Sequence, residues 1–258
     1  MRLLKRILSA AAVLALSASL LVGCSSGTAS SVPVSASSAA ESTVSSVEET
    51  ASSAVDENEA AAAQLLNDLT GSYQELWPVI LADEYKQTWL DDCTALVGED
   101  NAEAAFEKLS SMVTGDVYGE DAVKAYANGG GAYFCGFTNS LATLTFDGET
   151  STISGTDKDG NVLFSHTYHY IGMEPVRGLY EFQSDDADSG EFTYFFLAPD
   201  TSAETYHIEF RYGSDAEALS QYDTGEYAYW LASGISTDCD QTMIDNCIEL
   251  FCTENLAG

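Results

Sequence analysis

His207 and Glu209 stand two residues apart in the stretch AETYHIEFRY, residues 203–212. The stretch alternates polar and apolar residues as a β-strand does, and on a strand positions i and i+2 share a face. An imidazole nitrogen and a carboxylate oxygen on one face are a donor pair for a divalent metal ion. His207 is one of only three histidines in the chain, so nitrogen donors are scarce elsewhere. The same pattern also fits the wet face of a half-buried strand, with Thr205, His207, Glu209 and Arg211 out and Tyr206, Ile208, Phe210 and Tyr212 in. Arg211 shares the polar face; there it would pair with Glu209 and oppose a bound cation.

The remaining candidates do not enlarge this set. His166 and His169, in VLFSHTYHYIG (162–172), are three apart and fall on opposite faces of a strand, so joint ligation would need a bulge. Tyr168 and Tyr170 beside them read as barrel wall. Beyond Cys24 there are five cysteines, Cys93, Cys135, Cys239, Cys247 and Cys252. None forms a C-x-x-C pair, which argues against a thiolate zinc knuckle, and Cys247 and Cys252 are five apart on an expected helix, off one another's face. Outside the cytoplasm an odd count suggests two disulfides and a spare thiol, or reduced thiols throughout. Burial as small apolar side chains is expected for at least two of them.

Two acidic turns fail as calcium loops. DKDGN (157–161) has Gly160 fourth rather than sixth, and Tyr168 stands where a bidentate Glu is required. It reads as an Asp-Gly hairpin turn. SDDADSG (184–190) reads as an acidic hairpin tip. No nucleophile elbow, phosphate-cradling glycine loop or H-E-x-x-H motif is found, and ANGGGAY (127–133) reads as a linker after a helix. The chain is expected to be no enzyme and to need no organic cofactor.

Three segments organise the chain. Residues 1–24 join a basic start, MRLLKR, to an apolar run too short for a membrane span, closing in LVGC. That end resembles the lipobox of bacterial lipoproteins, which implies cleavage before Cys24 and lipid on its sulfur. Residues 25–62 are Ser, Ala, Thr and Glu with almost no large apolar side chain, the composition of a disordered tether. Residues 63–258 form the domain. Three of nine basic residues leave with the signal, so six face forty-one acids, a net charge near −35. A field of that sign repels nucleic acid and attracts cations.

Within the domain, ENEAAAAQLLNDL, SYQELWPVILA, DEYKQTWLDDCTALVG and NAEAAFEKLSSMV have helical spacing. From about Ala132 the period changes to two. AYFCGFTNSLATLTFDG, TSTISGT, VLFSHTYHYIG, GLYEFQ, EFTYFFLA and ETYHIEFRYG alternate between Gly- and Asp-rich turns, and DCDQTMIDNCIELFC ends the chain as a helix. Successive short antiparallel strands predict a meander closing into a β-barrel, with N-terminal helices and a C-terminal helix.

GSYQELWP (71–78), YHYIG (168–172), the run from Tyr180 to Tyr222 and YAYWLA come in an order that resembles the ZinT domain, found also at the C-terminus of AdcA-type zinc-binding lipoproteins. The resemblance spans roughly Leu69 to Phe251. It implies a lipocalin-like (calycin) barrel holding zinc at its mouth, and a role in passing the metal to an ABC importer. Three histidines, H-x(8)-H-x-H, hold the ion in that family. Here the middle one falls on His207, the last on Glu209 and the first on Ala198, with Asp200 the nearest residue able to ligate. Oxygen donors in place of nitrogen shift preference toward harder cations and weaken zinc.

The expected function is thus a lipoprotein on the outer side of the bacterial cell membrane that binds a divalent metal, zinc foremost, through His207, Glu209 and Asp200. Binding through neutral imidazole should fall below about pH 6. The alternative is a calycin barrel that has lost its metal and takes a small organic or sugar ligand at an aromatic mouth.

Overall fold

Alternation with large rings on one side makes strands whose inward faces can fill a barrel without leaving a void. The computed structural model describes residues 57–114 and 133–257. Cys24 and residues 25–56 lie outside them. In order, the elements are α1 (residues 57–68), β1 (Gly71–Glu75), α2 (Leu76–Ile80), a 3-10 turn (Asp83–Tyr85), α3 (Lys86–Val97) and α4 (Glu99–Ser111). Then come β2 (Thr143–Asp147), β3 (Thr152–Thr156), β4 (Val162–Met173), β5 (Tyr180–Ser184), a 3-10 turn (Gly190–Phe192) and β6 (Tyr194–Leu197). The chain continues with α5 (Ser202–Thr205), β7 (Ile208–Gly213), α6 (Ala216–Leu219), β8 (Ala232–Ser236) and α7 (Gln241–Leu256).

Each strand pairs antiparallel with the next, and β1 closes the barrel on β8 through Tyr73↔Ser236, Gln74↔Ile235 and Glu75↔Gly234. The fold is the expected closed antiparallel β-barrel, with α1 before it, α7 after it and, unlike the expected order, α2 to α4 inserted between β1 and β2. Inside, Phe146, Phe164, Tyr168, Phe182, Phe195, Phe210 and Tyr212 are all at most 4% exposed. Phe195 stacks on Tyr212 at 5.4 Å and on Phe164 at 5.8 Å. Rings therefore fill the interior, and a ligand must use an end or the outside. Gly155 permits this packing, because a Cβ there would meet Leu141 Cδ1 at 2.3 Å and Phe164 Cε1 at 2.5 Å.

A second core lies outside the barrel. α2, α3, α4 and α7 surround Trp89, which is fully buried and donates from Nε1 to Ile80 O at 2.7 Å, and the barrel contributes Ile235 of β8. α7 starts on Asp240, whose side chain accepts from Met243 N. It buries Ile244, Cys247, Ile248 and Cys252, one helical stripe. All five cysteines after Cys24 are free thiols, and four are buried; Cys93 and Cys252 bring their sulfurs to 3.9 Å.

Two expectations are corrected. SYQE belongs to a strand, not to the start of a helix; one buried residue, Tyr73, is too little periodicity to announce β1. Pro78 sits in the first turn of α2, where an N–H has no helical partner anyway. Residues 133–142 form a strap with one parallel bridge, Phe134↔Trp230, rather than the first part of a strand. In addition, α1 crosses the boundary drawn at Ala63, with Ala62 fully buried against the barrel core.

Phe195→Ala should cost about 3–5 kcal/mol in urea unfolding, since it empties the centre of the ring stack. Val162→Ala, at a position 70% exposed, should change stability by less than about 0.5 kcal/mol.

Candidate functional site

Thr201 and Glu204 form a capping box that closes the single turn α5, and Tyr206 follows in the left-handed region at φ 65°. This reversal shortens the predicted strand and places His207 just ahead of β7, not within it. His207 and Glu209 still project together. Ile208, Phe210 and Tyr212 face the barrel core, so the alternate positions face outward, as Ser233 does on β8. The pair therefore lines the outer side of the barrel wall, where α7 and α2 cover it, rather than the filled interior. The cleft measures about 310 Å³ and is bounded also by Trp77, Cys135, Arg177, Cys247 and Glu254.

The His207 ring is oriented by its own chain. Nδ1 lies 2.7 Å from the Thr205 carbonyl oxygen and donates to it, which leaves Nε2 facing Glu209 Oε1 at 3.8 Å. The imidazole is 19% exposed and the Glu209 carboxyl 43%. Burial resists charging the ring, but the Cys247 thiol and the Glu209 carboxylate outweigh it and push its pKa up to about 10. Burial, with the Glu209 charge behind it, pushes the Cys135 thiol up to about 12, against Ser233, Trp77 and Arg177. Partial burial lifts the Glu254 carboxyl, His207 opposes that and Glu209 adds to it.

The other sequence candidates fall elsewhere. Asp200 is exposed in the loop before α5 and does not line the cleft. Arg211 does not pair with Glu209: it is fully buried, donates to the carbonyls of Leu219, Gln221 and Tyr227, and lies 4.3 Å from the Tyr222 ring. The cation expected to oppose a metal is thereby turned away. His166 and His169 each hold an aspartate of the acidic turn, Asp186 and Asp185, at 2.7 Å. That turn thus anchors the β5–β6 connection to β4. Asp157 accepts N–H groups from Asp159 and Asn161, as a hairpin turn requires. Cys135, Cys247, Trp77 and Glu254 were missed as neighbours of His207, and no local spacing could have found them. Among the described residues, no three His, Cys, Asp or Glu side chains converge closely enough to enclose an ion.

No protein-family model and no characterised protein sequence matches the chain. Among solved structures, it is similar to the Zn(II)-bound ZinT-like domain of Streptococcus pneumoniae AdcA, at 16% identity and TM-score 0.43, covering 75% of this chain and 90% of that one. It is similar also to Zn(II)-bound AdcA from Streptococcus pneumoniae, at 16% identity and TM-score 0.42, covering 72% of this chain and 35% of that one.

A pKa near 10 for folded His207, against the ordinary 6.5, means that the folded chain binds this proton more tightly than the unfolded chain. The resulting stabilisation is complete below about pH 6.5 and disappears as the pH rises through about 10. In urea unfolding without metal, His207→Gln should therefore cost more at about pH 6 than at about pH 10. Equal costs at the two pH values would remove Cys247 and Glu209 as its effective partners.

Proposed function

We propose that this is a non-catalytic, surface-anchored bacterial lipoprotein whose outer cleft captures a divalent metal ion of the zinc class as an accessory to metal uptake. One observation carries the reading: Nδ1 of His207 is committed to the Thr205 carbonyl, and Nε2 faces a carboxylate oxygen 3.8 Å away. That separation is too long for a hydrogen bond. With metal–ligand bonds of about 2.0–2.2 Å, nitrogen and oxygen donors on a tetrahedral ion stand roughly 3.4 Å apart. A shift of a few tenths of an ångström brings the pair to that span. A backbone carbonyl holding the far ring nitrogen, as Thr205 O does here, is also what orients an imidazole ligand.

The ordered motifs that resemble the ZinT domain support the same reading, as does the acidic surface, which raises the local concentration of cations. Cys24 would supply the anchor; among the described residues no helix is long and apolar enough to cross a membrane. Delivery to an importer belongs to the same proposal. Because His207 holds its proton well above the usual range, an arriving ion must displace it. The loss of affinity on acidification should then begin higher than the pH of about 6 expected for an ordinary imidazole.

A second reading rests on a different feature. A groove of about 500 Å³, lined by Phe134, Tyr227, Tyr229 and Trp230 with Glu191 and Glu226 at its edge, suits a small organic ligand with stacking faces. A thermal shift with sugars or organic cations but none with metals would favour it.

Calorimetric titration with zinc at neutral pH should show one-to-one, submicromolar binding. His207→Ala should weaken it at least about tenfold. Asp200→Ala should leave it unchanged. Weak binding indifferent to His207→Ala would mean that the acidic surface merely collects cations, and the metal reading would fall.

A further inference from the structure

The helical core outside the barrel holds a contact that the His207 cleft does not use. Cys93 of α3 and Cys252 of α7 are both fully buried, and their sulfurs lie 3.9 Å apart. The two residues are 159 positions apart along the chain, so the docking of α7 on α3 is what brings them together. Each sits on the buried face of its helix, Cys93 one turn after Trp89 on α3, and Cys252 one turn after Ile248 on α7. A second contact fixes the same register. Phe251, next to Cys252, packs edge-on against Trp89 with ring centroids 6.1 Å apart. The sulfurs are therefore held face to face by two packed helices, not by a loop that can swing away.

The covalent chemistry open to two such thiols is a disulfide. The sulfurs must close from 3.9 Å to about 2.05 Å, an approach that rotation about the two Cα–Cβ bonds and a small shift of α7 supply. Burial, the largest cause for both, raises the pKa of each thiol, and the thiolate is the attacking form. Within the packed core the pair is thus inert, and exchange belongs to folding, before α7 closes on α3.

We infer that Cys93 and Cys252 are joined as the protein folds outside the cytoplasm, and that the resulting disulfide staples α7 to α3. α7 carries Phe251 and Glu254, which line the His207 cleft, so the bond also fixes one wall of that cleft. The oxidant is an external disulfide, either a small molecule or the active-site disulfide of a thiol oxidoreductase. The thiolate of one cysteine attacks it, displaces one of its sulfurs and forms a mixed disulfide. The second cysteine attacks the protein sulfur of that intermediate and displaces the other. The two protons of the cysteines end on the two released thiols, and the two electrons lost by the protein are gained by the oxidant. Only the extracytoplasmic location is taken from the proposed function, since disulfides persist there; no metal is needed. Closing so long a loop restricts the unfolded chain and stabilises the folded one.

The chain exported to a bacterial periplasm and purified without reductant tests this. After alkylation of free thiols, peptide mass mapping should find Cys93 linked to Cys252, with Cys135, Cys239 and Cys247 alkylated. This sample should melt about 5–15 °C above the same chain unfolded and refolded in dithiothreitol. Cys252→Ala, whatever its own stability, should show no such difference between the two treatments. Alkylation of both Cys93 and Cys252 in the exported chain, or a link from either to another cysteine, overturns the pairing. A Cys93–Cys252 link that leaves the melting temperature unchanged overturns the staple. Zinc titration reads neither outcome, so the disulfide and the metal reading stand or fall separately.

Discussion

Strand β7 is buried on both faces, and the arrangement of the molecule follows from that constraint. Its inward side chains, Ile208, Phe210 and Tyr212, belong to the ring stack that fills the barrel. Outward positions on most barrel strands meet water, but here α7, α2 and the strap before β2 cover the wall. Polar groups on the outer side of β7 must then find partners or a use. Arg211 finds partners, with three carbonyls and the Tyr222 ring satisfying most of its guanidinium. Glu209 and His207 remain facing a cleft. An apolar barrel centre and a polar outer seam thus come from one six-residue strand read on its two sides.

The electrostatics of the seam follow from burial without full pairing. Glu209 cannot form a close ion pair with His207 at 3.8 Å, yet it is near enough to favour the imidazolium. The thiol of Cys135 is held neutral by burial and by the same carboxylate. His207 and Cys135 therefore both keep their protons in the cleft. A divalent cation bound there would have to displace the His207 proton and take its place opposite the Glu209 carboxylate. Proton release and pH-dependent capture are then two views of one exchange.

Strand periodicity was legible where apolar and polar residues alternate: β2 to β7 match, to within a residue at their ends, the segments that alternate in the sequence. β1 and β8 were not, although they close the barrel. GSYQE buries a single side chain and runs into a helix, and ASGIS carries small residues with no alternation to detect. His207 and Glu209 were visible because a two-residue spacing is local information. α5 was less so, since the capping box of Thr201 and Glu204 competes with the β-rich residues that follow it and wins for one turn. Cys247 and Cys135 are brought to His207 by the docking of α7 and the strap, a tertiary event that spacing along the chain does not encode.

The three histidines show why residue type is a weak guide and geometry a stronger one. His166 and His169 each face an aspartate at 2.7 Å, a distance that makes a hydrogen bond and occupies the carboxylate. Both pairs bind the 184–190 turn to β4, a structural task. His207 has its carboxylate more than an ångström farther away, its other nitrogen taken by a backbone carbonyl, and a buried thiol beside it. A contact already closed has little to gain from an ion between its partners. One held open, with an Nε2 that ligates once its proton is displaced, has a place for one. Separation, and not the presence of histidine beside an acid, distinguishes the metal candidate from the two latches.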